Sequence, residues 1–136
     1  MIIFDTTFLV DLMRSYNNSG YKRAISYLKE VTDSDETFAT TFANVFELYK
    51  GAHKSDNPHR SIEKIDYILK LIPVLELNRD YYDSYGKISA APEKRGTPIG
   101  KFDELIAAIA IYHNAGVVTN NTRDFSRVPG IEVINH

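Results

Sequence analysis

No cysteine occurs among the 136 residues. Disulfides, thiolate metal sites and cysteine nucleophiles are thereby excluded, and the absence fits a reducing cytoplasm. No apolar run reaches transmembrane length, and no leader with a basic start and a small-residue cleavage site is present, so neither a membrane span nor export is expected. Basic residues are not in excess: 16 Lys and Arg stand against 18 Asp and Glu, for a net charge of −2. A polyanionic substrate therefore has to be held by local groups. Lys50, Lys54 and Arg60 form one such group, Lys94, Arg95 and Lys101 a second, and Arg123 and Arg127 a third. Each reads more readily as a solvated face. Also missing are a phosphate-binding P-loop, a Gly-rich dinucleotide fingerprint and a serine nucleophile constellation. The histidines (His53, His59, His113, His136) lack metal-ligand spacing. Any metal would be held by oxygen or imidazole, which favours magnesium or manganese over structural zinc.

What is present is an ordinary globular composition, 43% hydrophobic and 25% charged, sufficient for one domain with a real core spanning residues 1–136. Short apolar runs at Met1–Phe4, Thr37–Thr40, Pro73–Leu77, Val117–Thr119 and Ile131–Ile134 read as strands. Amphipathic segments lie between them: Phe8–Arg14 capped by Thr6 or Thr7, Tyr21–Val31, a helix after Thr41 closed by Gly51, and His59–Ile72. A further helix carries Tyr81, Tyr82, Tyr85 and Ile88 and ends in a loop across Ala91–Pro98, while Asn120–Phe125 reads as a loop. Strands alternating with helices predict an α/β fold with a mostly parallel sheet of about five short strands, covered on both faces.

The chain is organised around Pro98–Tyr112. After Pro98 and Gly100, a helix begins that is apolar on all sides from Leu105, so other elements must cover it all round. Two acids stand in its first turn. Asp103 shares a helical row with Ile106, Ala107 and Ala110 and is expected to face inward, while Glu104 is expected to be solvated. An inward carboxylate needs compensation, and helix-dipole stabilisation of a first-turn acid is the plain alternative.

Other acids decide between these. Asp5 ends the first apolar strand, where a ligand or a cap belongs. Glu47 sits among apolar neighbours of its helix, or is merely exposed on it. Asp124 is a turn residue pairing with Arg123 or Arg127. Ligand sites of open α/β sheets lie beyond the carboxyl ends of the strands. A helix that feeds the fourth strand would start at the wrong edge, unless the segment Arg79–Pro98 returns over the sheet. If Asp5, Glu47 and Asp103 converge, their repulsion calls for a divalent cation, whose natural chemistry is phosphodiester hydrolysis.

Four stretches in this order resemble PIN domains, and within them the VapC-type toxins of type II toxin–antitoxin pairs: Phe4-Asp5-Thr6-Thr7-Phe8-Leu9; Glu47-Leu48 with Gly51-Ala52; Pro98-Ile99-Gly100 with Asp103 and Leu105–Ala108; and Val118–Phe125 followed by Val128-Pro129-Gly130. The resemblance implies a three-layer α/β fold and a magnesium- or manganese-dependent endoribonuclease. It implies Asp5, Glu47 and Asp103 as metal-binding acids. The fourth acidic position falls at or near Asn121, with Asp124 as a substitute. An amide oxygen ligates without adding charge, which favours one metal over two. The resemblance further implies an RNA substrate, a homodimer and a VapB-type antitoxin whose arm covers the acidic groove, where an arginine would suit the carboxylates. A PIN fold that has lost cleavage and serves as a binding module is the alternative, and a phospho-acceptor role for Asp5 ranks last.

Overall fold

The computed structural model describes residues 1–91 and 99–136 in full and the backbone of 92–95. The proline of the hand-over, Pro98, and the side chains of Lys94 and Arg95 lie outside the described residues. Among those described, five strands form one sheet in the order β3-β2-β1-β4-β5. The strands are β1 (Ile2–Phe4), β2 (Phe38–Thr41), β3 (Val74–Leu75), β4 (Gly116–Val118) and β5 (Val133–Ile134). All neighbouring pairs are parallel, with Ile3 opposite Ala39 on one side and Val117 on the other.

Side chains alternate across the strands and so build two cores. Ile2, Phe4 and Val118 face one core, made with Phe8 and Leu9 of α1 (Thr6–Leu12), Leu28 of α2 (Ser19–Thr32), Leu48 of α3 (Phe42–Lys54) and Ile65 of α4 (Pro58–Leu71). Ile3 and Val117 face the other, made with Tyr81 of α5 (Tyr81–Arg95), Ile106 and Ala110 of α6 (Lys101–Tyr112) and Phe125 of α7 (Thr122–Phe125). Helix, sheet, helix: this is the three-layer arrangement the alternation of elements predicts.

Several boundaries differ from the sequence reading, each for a local reason. Helix α3 runs through Gly51 to Lys54, because Gly51 is exposed and a glycine inside a helix costs only about 1 kcal/mol. Helix α5 continues past Ala91 to Arg95. The segment Asn120–Phe125 contains the one-turn helix α7, too short to leave a periodic signature. Asp5, not Thr6 or Thr7, occupies the N-cap position of α1, with extended backbone and no capping side-chain bond.

Glu104 reverses the expectation for the pair at the start of α6. It is wholly buried, while Asp103 is half-buried. The exposed positions of α6 are Lys101, Phe102 and Tyr112, whereas the row through Glu104 and Ala108 faces the interior. Lys101 Nζ approaches Glu104 Oε1 at 3.4 Å, and neither carboxylate oxygen has a hydrogen-bond partner among the described residues.

The path of α5 resolves where α6 begins. The antiparallel return of α5 beside α6, fixed by the Ser84 hydroxyl donating to the Ala108 carbonyl (2.8 Å) and by Tyr81 packing edge-on to Tyr112, places the first turn of α6 at the carboxyl end of β4. There Asn121 reaches Asp103. The side chain of His136, 0% exposed, meets Asp11 of α1 at 3.0 Å, where Asn120 and Arg14 also donate.

Candidate active site

The carboxyl ends of β1 and β4 adjoin, since Asp5 N–H donates to the Val118 carbonyl (3.0 Å). The next residue on each strand therefore presents a polar side chain to the same place. Thr119, fully buried, donates its hydroxyl to Asp5 Oδ2 at 2.7 Å. Thr7 adds a longer bond to the same oxygen, at 3.3 Å. On the other carboxylate oxygen, Asn44 Nδ2 donates at 3.1 Å. Asp5 is only 3% exposed, so these donors replace the water it has lost.

Glu47 joins from α3. Its Oε1 accepts the Thr6 hydroxyl at 2.6 Å, and Thr6 in turn accepts from Asn44 Nδ2 at 3.0 Å. Burial raises the Glu47 carboxyl above its ordinary range, the Thr6 bond opposes this, and the charge of Asp5 adds to the rise while Lys50 offsets it. The alternative of a merely exposed helix acid is thus excluded.

Asp103 and Asp124 join from α6 and α7. Asn121 Nδ2 donates to Asp103 Oδ2 (3.0 Å) and to Asp124 Oδ2 (3.3 Å), while its backbone N–H donates to Thr119 Oγ1 (2.9 Å). Asp124 also lies 4.0 Å from Arg127, at the limit of an ion pair, so the turn-residue role and the site role coexist. The Asp103 carboxyl is pushed up to about 6, chiefly by burial, then by the charges of Asp5, Glu47 and Asp124, with the Asn121 bond opposing. Three separate acids raising a fourth means that all four share one field.

All five residues singled out in the sequence therefore meet at one end of the sheet. Among the described residues no three acids or histidines stand together as a ready-made cation cage. Hydroxyl and amide donors instead hold the carboxylates. An apolar cleft of about 430 Å³ lies elsewhere, between α3, α5 and α6, and is lined by Phe42, Leu77, Tyr82, Tyr85 and Phe102.

A family model described as PIN domain matches residues 2–131, a span containing every one of these acids. The chain belongs to the PIN domain family. Ribonuclease VapC2 of Haemophilus influenzae is 32% identical over 114 residues, 84% of this chain and 86% of that protein. The tRNA(fMet)-specific endonuclease VapC of Salmonella typhimurium is 36% identical over 89 residues, 65% of this chain and 67% of that protein. The crystal structure of VapBC2 from Rickettsia felis bound to a DNA fragment from their promoter superposes with a TM-score of 0.85 at 28% identity, covering 100% of this chain and 99% of that one. This PIN domain is of the VapC type.

Sequence reasoning missed the neutral half of the PIN site. Thr6 and Thr7 read as helix caps, but with Asp5 at the cap position their hydroxyls turn to the carboxylates. Thr119 read as the end of a strand, and Asn44 was not singled out. One signal for Asn44 was available: it lies three residues before Glu47, on the same helix face.

Proposed function

We propose that this PIN domain is a metal-dependent endoribonuclease, the toxin of a toxin–antitoxin pair, and that Asp5, Glu47 and Asp103 hold a magnesium or manganese ion. The observation that carries the reading is the convergence of Asp5, Glu47, Asp103 and Asp124 at the carboxyl ends of the strands, where burial first and the three neighbouring charges second raise Asp103 to about 6. Oxygen-only donors of this charge fit a hard divalent cation. When bound, such an ion supplies Lewis acidity toward a phosphate and the attacking water.

The chain's own groups do the rest. Thr6, Thr7, Thr119 and Asn44 fix the orientation of Asp5 and Glu47. Asn121 holds Asp103 and Asp124 by an amide that brings no charge, which favours one metal over two. Exposed Arg123 and Arg127 flank Asp124 and are placed to meet the phosphates of an RNA strand.

The relatives' names support the class of reaction, an RNA endonuclease, and the VapBC structures support a partner antitoxin. An apolar slot between α1, α3 and α4, lined by Val10, Met13, Leu48 and Ala52 and ending at Glu47, suits an arm of such a partner whose arginine pairs with the acids. The exposed Leu77, Tyr82 and Phe102 of the apolar cleft between α3, α5 and α6 suit a second copy of the chain. Tyr82→Arg is expected to turn a dimer into a monomer in sedimentation; an unchanged mass assigns the dimer contact elsewhere.

The deciding experiment is cleavage of cellular RNA by the purified, antitoxin-free protein with manganese, with magnesium and with EDTA. Metal-dependent cutting is expected. A folded protein that binds RNA but cuts under no metal is instead the binding module, with Asn121 in place of an acid as its cause.

Acid sensitivity follows from Asp103. A proton competes with the cation for its carboxylate, so at subsaturating manganese the activity falls about tenfold per pH unit below about 6. Raising manganese moves this limb to lower pH. A limb that ignores manganese concentration places the titration on some other group. Asn121→Asp adds a fifth carboxylate to the four already in the field; it is expected to lower metal-free melting temperature and to bring a second manganese into the binding isotherm. An isotherm still at one site removes Asn121 from the set of ligands.

A further inference from the structure

One side chain of α3, Asn44, donates to Asp5 directly and to Thr6, the residue of α1 that donates to Glu47. Asn44 is fully buried, and its amide orientation is fixed from behind. Its Oδ1 accepts the Thr41 backbone N–H (3.2 Å) and the Thr41 hydroxyl (2.7 Å). A backbone N–H only donates, so the oxygen must lie on that side and the NH₂ group on the other. Both of its hydrogens then have acceptors, Asp5 Oδ1 at 3.1 Å and Thr6 Oγ1 at 3.0 Å. Thr6, accepting from the amide, sends its own proton on to Glu47 Oε1 at 2.6 Å. The direction of every bond in this chain is determined.

We propose that Asn44 is a positioning residue of the nuclease: one buried amide sets the carboxylate of Asp5 directly and that of Glu47 through Thr6, fixing the two acids relative to each other before a cation arrives. The inference rests on the metal-nuclease reading above. Without Asn44, Asp5 Oδ1 loses its buried donor and the Thr6 hydroxyl is released from its orientation, so each acid gains rotational freedom that a cation must then freeze out. The same side chain also serves the capping box of α3, and the test must separate that structural role from positioning.

Manganese binding to the RNA-free protein, measured by calorimetry or by loss of the free-ion paramagnetic resonance signal, provides the separation. Asn44→Ala is expected to weaken binding by about 10–100-fold, the range typical of groups that orient metal ligands. Thr6→Val, which cuts only the relay to Glu47, is expected to weaken it by about tenfold. Thr41→Ala damages the same cap but keeps the Nδ2 donations, with the backbone N–H still holding Oδ1; it should lower the melting temperature and leave manganese affinity at the wild-type value. Wild-type affinity in Asn44→Ala, beside a wild type that binds and cuts, overturns the positioning role alone. If Asn44→Ala does not fold, an unchanged affinity in Thr6→Val overturns it. A wild type that neither binds manganese nor cuts RNA overturns the metal-nuclease reading as well.

Discussion

Asp103→Asn is expected to lower metal-dependent RNA cleavage by about 10³-fold or more, because a ligand charge in a cation-assisted phosphoryl transfer contributes several kcal/mol, at about 1.4 kcal/mol per tenfold in rate. The substitution is nearly isosteric, and the Asn121 amide keeps an oxygen to donate to. The fold should therefore survive. Its stability should rise rather than fall. The folded-state value of Asp103 lies above that of the unfolded chain, so between 3.8 and about 6 the folded protein holds the extra proton. Stability from this group is present below about pH 4 and is lost as pH rises through about 6. At pH 7.5 the ionised acid is thus a burden, discounted here because the group is only half-buried, and its removal is expected to raise the metal-free melting temperature by about 2–5 °C. Cleavage assays and thermal melts on the same preparation check both signs. An inactive but more stable variant is the mark of a functional acid. A variant that cuts at the wild-type rate removes Asp103 from the reaction.

The second large effect is on stability. Phe8→Ala should cost about 3–5 kcal/mol, the range for truncating an enclosed aromatic, out of a total of about 5–15 kcal/mol for a domain. Phe8 is 0% exposed and stacks on Phe4 with ring centroids 4.3 Å apart. Tyr27 and His136 close on it edge-wise at 6.1 and 4.7 Å. One ring thus joins β1, α1 and α2 to the residue that meets Asp11. Since Asp5 stands between Phe4 and Phe8, loosening this stack also loosens the carboxylate. The melting temperature should drop by about 10–20 °C, and the urea midpoint should fall without a change of slope. A loss below about 1 kcal/mol would mean that the core closes over the gap, which the ring contacts argue against.

Much of the fold could be read from the chain because strands and helices leave periodic traces. The run ending at Phe4 and the capped start at Thr41 are found where expected, and the strand expected at Val117–Thr119 lies one residue earlier, at Gly116–Val118. Elements that escaped lack that trace: α7 is one turn long, and α5 carries its helix past Ala91 to Arg95. The acids were legible because charge beside apolar residues is conspicuous. Asp103 lies half-buried beside the other acids, whereas Glu104, expected to be solvated, is wholly buried, because its row of α6 with Ala108 faces the interior. The neutral partners were not legible. Asparagine and threonine are unremarkable on a helix or at a strand end, and their roles arise only when β1, α3 and β4 bring residues 38 to 114 positions apart within hydrogen-bond reach.

The central claim is that the acids at the carboxyl ends of the strands hold a catalytic cation. The most direct measurement is anomalous scattering from crystals grown with manganese and collected at its absorption edge. The account predicts a peak within about 2.5 Å of carboxylate oxygens of Asp5, Glu47 and Asp103, absent in Asp103→Asn. Manganese bound at another surface, with this cluster empty at concentrations that support RNA cleavage, contradicts it.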